Sequence, residues 1–116
     1  MARDKQDFIM YIDSDGIIEF TVEDLGSIEE DYSAIWKMGR VDKQEFLIEK
    51  KSGEEEEEIS FESNRMRVFY HAEDNKDLEV GEYYHEARLT DPDGNSRPVA
   101  YGEVRVKQTI TSAPVS

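Results

Sequence analysis

The two histidines, His71 and His85, are the side chains whose ordinary pKa best suits proton transfer near neutral pH. Neither is followed by a second histidine or by a serine-containing nucleophile elbow, and an isolated titratable group rarely forms an active site. His85 falls on an alternating apolar face with Tyr83, Ala87 and Leu89. We therefore expect His85 to be a core residue whose ring bonds to the backbone, and we expect the chain not to be an enzyme.

Two acidic turn segments, residues 13–16 and residues 91–95, carry the D-x-D-G fragment that also occurs in calcium loops. An EF-type loop additionally needs a bidentate glutamate at its twelfth position. That position falls on Asp24 for the first segment and on Gly102 for the second. Because Asp and Gly are ordinary residues of turns between strands, we predict no metal and no cofactor at either segment.

Acidic side chains dominate the composition. The 116 residues include 28 acidic and 14 basic side chains, which gives a formal net charge of −14. This charge disfavours binding to nucleic acid and to anionic membranes, so we expect neither as a partner. The five glutamates at residues 54–58 are typical of a hydrated loop, with a basic partner or cations as the alternative. The acidity fits an ordinary acidic protein or a protein of a salt-rich cytoplasm, and both remain open.

The length fits one domain, which we assign to residues 1–108, followed by a tail at residues 109–116. The chain has no cysteine, which excludes disulfides and thiolate metal sites. Its first residues are charged and lack the apolar segment of a secretory signal, and no apolar run approaches the roughly 18 residues of a membrane span. We therefore expect a soluble protein made in the cytoplasm.

Alternating apolar residues, with turn signals about every eight to twelve residues, predict seven or eight short strands in an all-β antiparallel sandwich. Trp36 is the expected core anchor. Residues 8–12 and 17–22 predict one hairpin, and the turn at residues 91–95 predicts another. Phe46 and Ile48 are predicted to share one face of a strand. Residues 72–78 are compatible with a single helical turn.

Two aromatic side chains, Phe69 and Tyr84, are predicted to point away from the core faces. Exposed aromatic side chains on a sheet mark interfaces or sugar-binding platforms, and a second core face is the alternative explanation. The tail has little reason to fold alone and is expected to order on binding. We therefore predict partner contacts at both aromatic residues and at three tail residues, Thr109, Ile110 and Val115.

An ordered set of short motifs runs through the chain: DLG at residues 24–26, LIEKKSG at 47–53, ISFE at 59–62, MRVFY at 66–70, AED at 72–74, GEYY at 81–84, RLTDPDGN at 88–95 and GEVRV at 102–106. In this order they resemble an immunoglobulin-like β-sandwich domain common among structural proteins of tailed bacteriophages, such as the N-terminal domain of baseplate upper proteins. Tyr83 is placed like the corner tyrosine that ties a loop back to such a sandwich. His85 departs from the pattern, because a larger aromatic residue is often found there.

The resemblance implies an immunoglobulin-like antiparallel sandwich with a non-enzymatic, structural role in the virion of a tailed virus, in the capsid, neck, tail or baseplate. The implied partners are other virion proteins and further copies of the chain in a homo-oligomer, and the implied location is the virion. Two other functions remain open. One is a module that binds carbohydrate or a cell surface through exposed tyrosines, and the other is an acidic inhibitor that mimics DNA.

Overall fold

The computed structural model describes residues 4–22, 25–28, 31–40, 45–53 and 58–108. The predicted tail and residues 54–57 of the glutamate run lie outside these described residues. Almost every element is a strand, as the alternation of apolar residues predicts. In chain order the elements are β1 (Asp4–Lys5), β2 (Phe8–Tyr11), β3 (Gly16–Thr21), β4 (Ser33–Arg40), β5 (Glu45–Lys51), β6 (Ile59–Glu62), β7 (Arg65–Tyr70), α1 (Ala72–Asn75), β8 (Gly81–Thr90) and β9 (Ser96–Lys107).

The strands form two sheets that enclose one core. Sheet A has the order β1-β9-β8-β4-β5, with β2 also paired to β9, and sheet B has the order β3-β7-β6. Because β1 and β2 pair with successive parts of β9, they are two halves of one edge strand of sheet A. The predicted all-β immunoglobulin-like sandwich is confirmed, although this edge strand runs parallel to β9 and the other pairs are antiparallel.

The first predicted hairpin is wrong. Strand β2 pairs with β9 in sheet A, whereas β3 pairs with β7 in sheet B, so the turn at residues 13–16 carries the chain between sheets. The fully buried Asn75 stabilises this turn. Its Oδ1 accepts a hydrogen bond from the Asp13 N–H at 2.7 Å, and its Nδ2 donates to the Ser14 carbonyl at 2.9 Å. The same turn residues suit a hairpin and a crossover between sheets, so local sequence does not separate the two.

The core lies between the two sheets and is filled from both. Trp36 on β4 is fully buried, as predicted. Burial of a large apolar side chain contributes roughly 1.5–3 kcal/mol, so the inward faces dominate the stability of the sandwich. The largest fully buried side chains are Trp36, Tyr83, Phe20, Met10, Met38, Met66 and Leu89.

Strand β5 contains an irregularity that changes which side chains face the core. Met38 of β4 pairs with Ile48, but Gly39 pairs with Phe46, so Leu47 is the extra residue of a β-bulge. Ile48 is consequently 5% exposed, whereas Phe46 is 68% exposed. The prediction that Phe46 and Ile48 share one face is therefore wrong, because one extra residue reverses the alternation.

The hairpin between β8 and β9 and the corner tyrosine are both confirmed. One Asp91 carboxylate oxygen accepts hydrogen bonds from the Asp93 and Asn95 N–H groups, each at 2.9 Å. The hydrogen bonds from Asn95 are the main cause of the lowered pKa of Asp91. The Tyr83 hydroxyl donates to the Glu79 carbonyl at 2.7 Å, which ties the connection before β8 to the sheet.

A buried ion network joins the two sheets at their β5 and β6 edges, and we call it the Lys50 triad (Lys50, Glu58 and Asp74). Lys50 is 4% exposed because it points inward from β5, opposite Trp36. Its Nζ lies 2.8 Å from Glu58 Oε2 and 2.8 Å from Asp74 Oδ2. Burial lowers the pKa of Lys50, but the hydrogen bonds to Asp74 and Glu58 outweigh it, so the net pKa is raised and the ammonium stays charged.

Candidate interaction surface

The outer face of sheet A, which we call the A face, is the broad side of the sandwich. It is formed mainly by the outward side chains of β2, β9, β8, β4 and β5, because alternate residues of each strand point away from the core. Its side chains are Lys5, Ile9, Tyr11, Ile35, Lys37, Phe46, Glu49, Lys51, Glu82, Tyr84, Glu86, Arg88, Tyr101, Glu103, Arg105 and Lys107.

Exposed apolar side chains lie across the A face. Tyr84 is 47% exposed and sits on β8, the middle one of the five strands that form the face. Phe46 is 68% exposed, and Gly39 lies between Tyr84 and Phe46 in the strand register. The Lys37 ammonium lies 4.7 Å from the centre of the Phe46 ring, within the range of a cation–π contact. Ile9 adds a 46% exposed side chain near the opposite edge.

The A-face side chains named above include six basic and four acidic residues, so this face lacks the acidic excess of the whole chain, which carries −14. Arg105 lies 3.4 Å from Glu82, and Lys37 lies 3.6 Å from Glu49. These side chains are between about a third and three-quarters exposed, so the pairs contribute little to stability. These pairs instead place opposite charges side by side on the surface.

A shallow depression of about 240 Å³ opens on the A face beside the junction of β1 and β2. Asp7, Ile9, Glu82, Glu103 and Arg105 line it, together with Phe8 and Val104. The Asp7 carboxylate accepts a hydrogen bond from the Glu103 N–H at 2.8 Å, which positions the junction. The depression therefore joins an apolar side chain to several carboxylates and one guanidinium.

The outer face of sheet B, which we call the B face, has a different surface. Arg67 lies 2.8 Å from Glu19 and 3.0 Å from Glu62, so one guanidinium links three strands. The hydrogen bond from Arg67 lowers the pKa of Glu19. The apolar part of this face is confined to one end, where the 61% exposed Ile17 lies opposite the half-buried Phe69. The B face is thus mainly a network of ion pairs.

The predicted contact residues do not form one surface. Tyr84 lies on the A face, whereas Phe69 lies on the B face at the other side of the sandwich. Thr109, Ile110 and Val115 lie outside the described residues. Sequence reasoning missed Phe46, and the available signal was the unbroken apolar run of Phe46, Leu47 and Ile48, which no regular strand can bury on one side.

His85 is buried, as predicted, and both of its ring nitrogens are hydrogen bonded. The Trp36 indole N–H donates to Nδ1 at 3.2 Å, and Nε2 lies 2.6 Å from the Gln6 carbonyl oxygen. Because an indole N–H only donates, Nδ1 must accept, and the proton of the neutral ring is on Nε2. Burial lowers the pKa of His85, and the hydrogen bond to Gln6 and the nearby Asp7 carboxylate oppose this only in part. His85 therefore connects the core to the N-terminal edge strand.

Gly102 makes this connection possible, and we call His85, Gln6, Trp36 and Gly102 the His85 network. Gly102 lies opposite His85 on β9 with its missing side chain directed inward. A Cβ atom there would lie 2.1 Å from the Gln6 carbonyl oxygen. The backbone between β1 and β2 thus occupies the space of a side chain at position 102.

Two further candidates from the sequence, His71 and the acidic turn at residues 13–16, contact each other and the start of α1. His71 is exposed, its ring lies 3.9 Å from the Asp15 carboxylate, and its backbone precedes α1. A second contact of Asp15 is a hydrogen bond from the Ala72 N–H at 2.7 Å. Within the described part of the chain, no group of three or more His, Asp or Glu side chains is placed to hold a metal ion. No described helix is long and apolar enough to span a membrane.

Comparison with known proteins extends only to the fold. No protein-family model matches the chain, and no curated protein sequence matches it. Among solved structures it is similar to CopC from Methylosinus trichosporium OB3b, with 18% identity, a TM-score of 0.48, and coverage of 93% of this chain and 86% of that one. It is also similar to the fibronectin(III)-like modules of Clostridium thermocellum CbhA, with 9% identity, a TM-score of 0.41, and coverage of 94% and 93%. Both similarities concern the immunoglobulin-like β-sandwich fold.

Proposed function

We propose that this chain is a non-enzymatic assembly domain that binds other proteins through the A face. The observation that supports this most strongly is the placement of the exposed Tyr84 and Phe46 side chains on a broad sheet that carries both signs of charge. Interfaces are enriched in aromatic side chains and depleted of unpaired charge at their centres. The A face has the exposed aromatic side chains, and the Arg105–Glu82, Lys37–Glu49 and Arg88–Glu86 pairs offset charges on it, whereas the B face exposes mainly ion pairs.

More specifically, we propose that the chain is a structural protein in the virion of a tailed virus and that its partners are other virion proteins. The ordered motifs of the sequence support it through their resemblance to an immunoglobulin-like domain of phage structural proteins. The charge distribution agrees with a protein partner, because the strand faces carry both signs of charge and offer no concentrated charge for nucleic acid or for a basic DNA-binding protein. The longest acidic run, residues 54–58, is confined to one segment, which does not favour the DNA-mimic alternative.

Quantitative mass spectrometry of virus particles, purified from cultures that encode this chain, tests the proposal. We expect the chain to be present at a fixed ratio to the major capsid protein. Incorporation should fall when Tyr84 and Phe46 are both changed to Ala and should persist for Ile17→Ala, an exposed apolar control on the B face. Absence of the chain from purified particles would overturn the virion assignment.

A carbohydrate-binding module is the second candidate, because one observation favours it. Tyr84 pairs with Glu103, which lines the depression beside Asp7 and Glu82. Sugars bind through stacking on an aromatic ring and through hydroxyl groups that donate to carboxylates. Binding on a glycan array that is lost in both Tyr84→Ala and Glu103→Gln would favour this candidate, and absence of any signal would count against it.

A further inference from the structure

We infer that the first partner of the A face is the A face of a second copy of this chain, in a two-fold symmetric dimer. This inference rests on the proposed function, because it names the partner of the same surface. A two-fold interface places the same patch on both subunits, so the patch must be complementary to itself. The charge, the extent and the centre of the A face must therefore all suit an identical surface.

The charges of the A face favour a second copy over a strongly basic partner. With a net charge of −14, two copies repel each other over most of their surfaces. On the A face, by contrast, the Arg105–Glu82, Lys37–Glu49 and Arg88–Glu86 pairs place both signs side by side. A strongly basic partner would meet Arg105, Lys37 and Arg88 here. A second A face offers the same neighbouring Arg–Glu and Lys–Glu pairs, whose opposite charges can pair across the interface.

The extent of the A face is sufficient for a specific contact. Its strands β2, β9, β8, β4 and β5 at a spacing of about 4.8 Å give a width of about 24 Å. The length of β4, eight residues at about 3.3 Å each, gives about 26 Å. The product, about 600 Å² per subunit, corresponds to the lower end of specific interfaces, which bury about 1,200 Å² in total.

The centre of the A face carries an exposed aromatic side chain, Tyr84. Tyr84 lies on β8, in the middle of the strand order, with Phe46 two strands away across the buried Gly39. Residues that contribute most to binding are commonly aromatic and central. Two such sheets packed with their strands about 30° apart bring Tyr84 of each copy close to the two-fold axis.

Sedimentation velocity at about 0.1 M and about 2 M salt tests the inference, since screening removes the repulsion between the acidic regions of the two copies. We expect a monomer–dimer equilibrium whose Kd is at least about tenfold lower at high salt. The double variant Tyr84→Ala with Phe46→Ala should raise the Kd of the dimer at least about tenfold more than the control Ile17→Ala does. The thermal unfolding midpoints of the two variants should match, so that the difference does not come from unfolding. A monomer up to about 1 mM protein at both salt concentrations would overturn the inference.

Cross-linking of mixed light and isotopically heavy chains identifies the face that is used. We expect light–heavy links between the A-face lysines Lys37 and Lys51, and none at the exposed Lys76 near α1. A dimer linked through Lys76 alone, or weakened equally by Ile17→Ala, would contradict the assignment. A monomeric chain whose incorporation into particles still depends on Tyr84 would refute the dimer and leave the proposed function intact. A chain that dimerises in solution but is absent from purified particles would support the dimer and refute the proposed function.

Discussion

The two side edges of the sandwich are closed by different kinds of interaction. At the N-terminal edge, the His85 network fixes β1 and β2 through neutral hydrogen bonds and a backbone contact over Gly102. At the opposite edge, the Lys50 triad joins β5 to the segment before β6 and to α1 through a buried cation and two carboxylates. The His85 network spans 79 positions between Gln6 and His85, whereas Lys50 lies only eight positions before Glu58.

The difference predicts how each edge responds to its surroundings. The His85 network requires an uncharged ring, so it is sensitive to protonation but has little dependence on salt. The Lys50 triad requires three charges, and its burial protects it from screening. One edge therefore depends on keeping a charge out of the core, and the other depends on keeping a buried charge fully paired.

The largest expected effect is that of Gly102→Ala, which tests whether the N-terminal edge depends on close backbone contact. The new Cβ would lie 2.1 Å from the Gln6 carbonyl oxygen and 2.6 Å from its carbon, so the backbone must move. We expect a loss of roughly 3 kcal/mol or more in the free energy of unfolding, measured by urea denaturation. Faster amide hydrogen exchange in β2 should accompany it, and an unchanged β2 would contradict the account.

The second effect concerns the Lys50 triad. In Lys50→Met the two carboxylates lose their partner, and because each keeps about a quarter of its side chain exposed, we expect a loss of about 2–3 kcal/mol. The matched control is Lys37→Met on β4, whose partner Glu49 is exposed, and its midpoint in urea should barely change. Equal losses in both variants would mean that burial of the triad is irrelevant.

A smaller effect is expected from acid. The pKa of His85 in the fold lies below its ordinary value of 6.5, mainly through burial. The unfolded chain therefore takes up the proton first, so stability is complete above about pH 6.5 and declines as the pH falls towards the pKa of the folded state. Asp7, the charged group near the ring, opposes this only in part. Urea midpoints from pH 7.5 to pH 5 should fall more for the natural chain than for His85→Gln, and equal slopes would exclude His85 as the cause.

The sequence predicted most of the strands because alternation is a local signal. It placed Trp36 and His85 in the core and identified the turn at Asp91 and the corner role of Tyr83. It failed where distant partners decide the outcome. The parallel pairing of β2 with β9 joins residues almost a hundred positions apart, and nothing in residues 8–22 distinguishes it from a hairpin.

The A face was only half predictable for a similar reason. Tyr84 follows the alternation of β8, so its exposure could be inferred from the sequence. Phe46 is exposed because Leu47 forms a bulge opposite the Met38–Gly39 step, and that register depends on the neighbouring strand. Lys50 was overlooked because its two partners come from segments separate from β5.

The parallel edge strand also has a consequence for folding. Strands β1 and β2 lie at the end of the strand order of sheet A and pair with β9, so their loss leaves the order β9-β8-β4-β5 intact. When the contact over Gly102 is broken, β9 presents an unpaired edge, which is a template for a strand from any source. A neighbouring copy carries the matching N-terminal strand, so we expect strand exchange between copies to increase when the His85 network is broken.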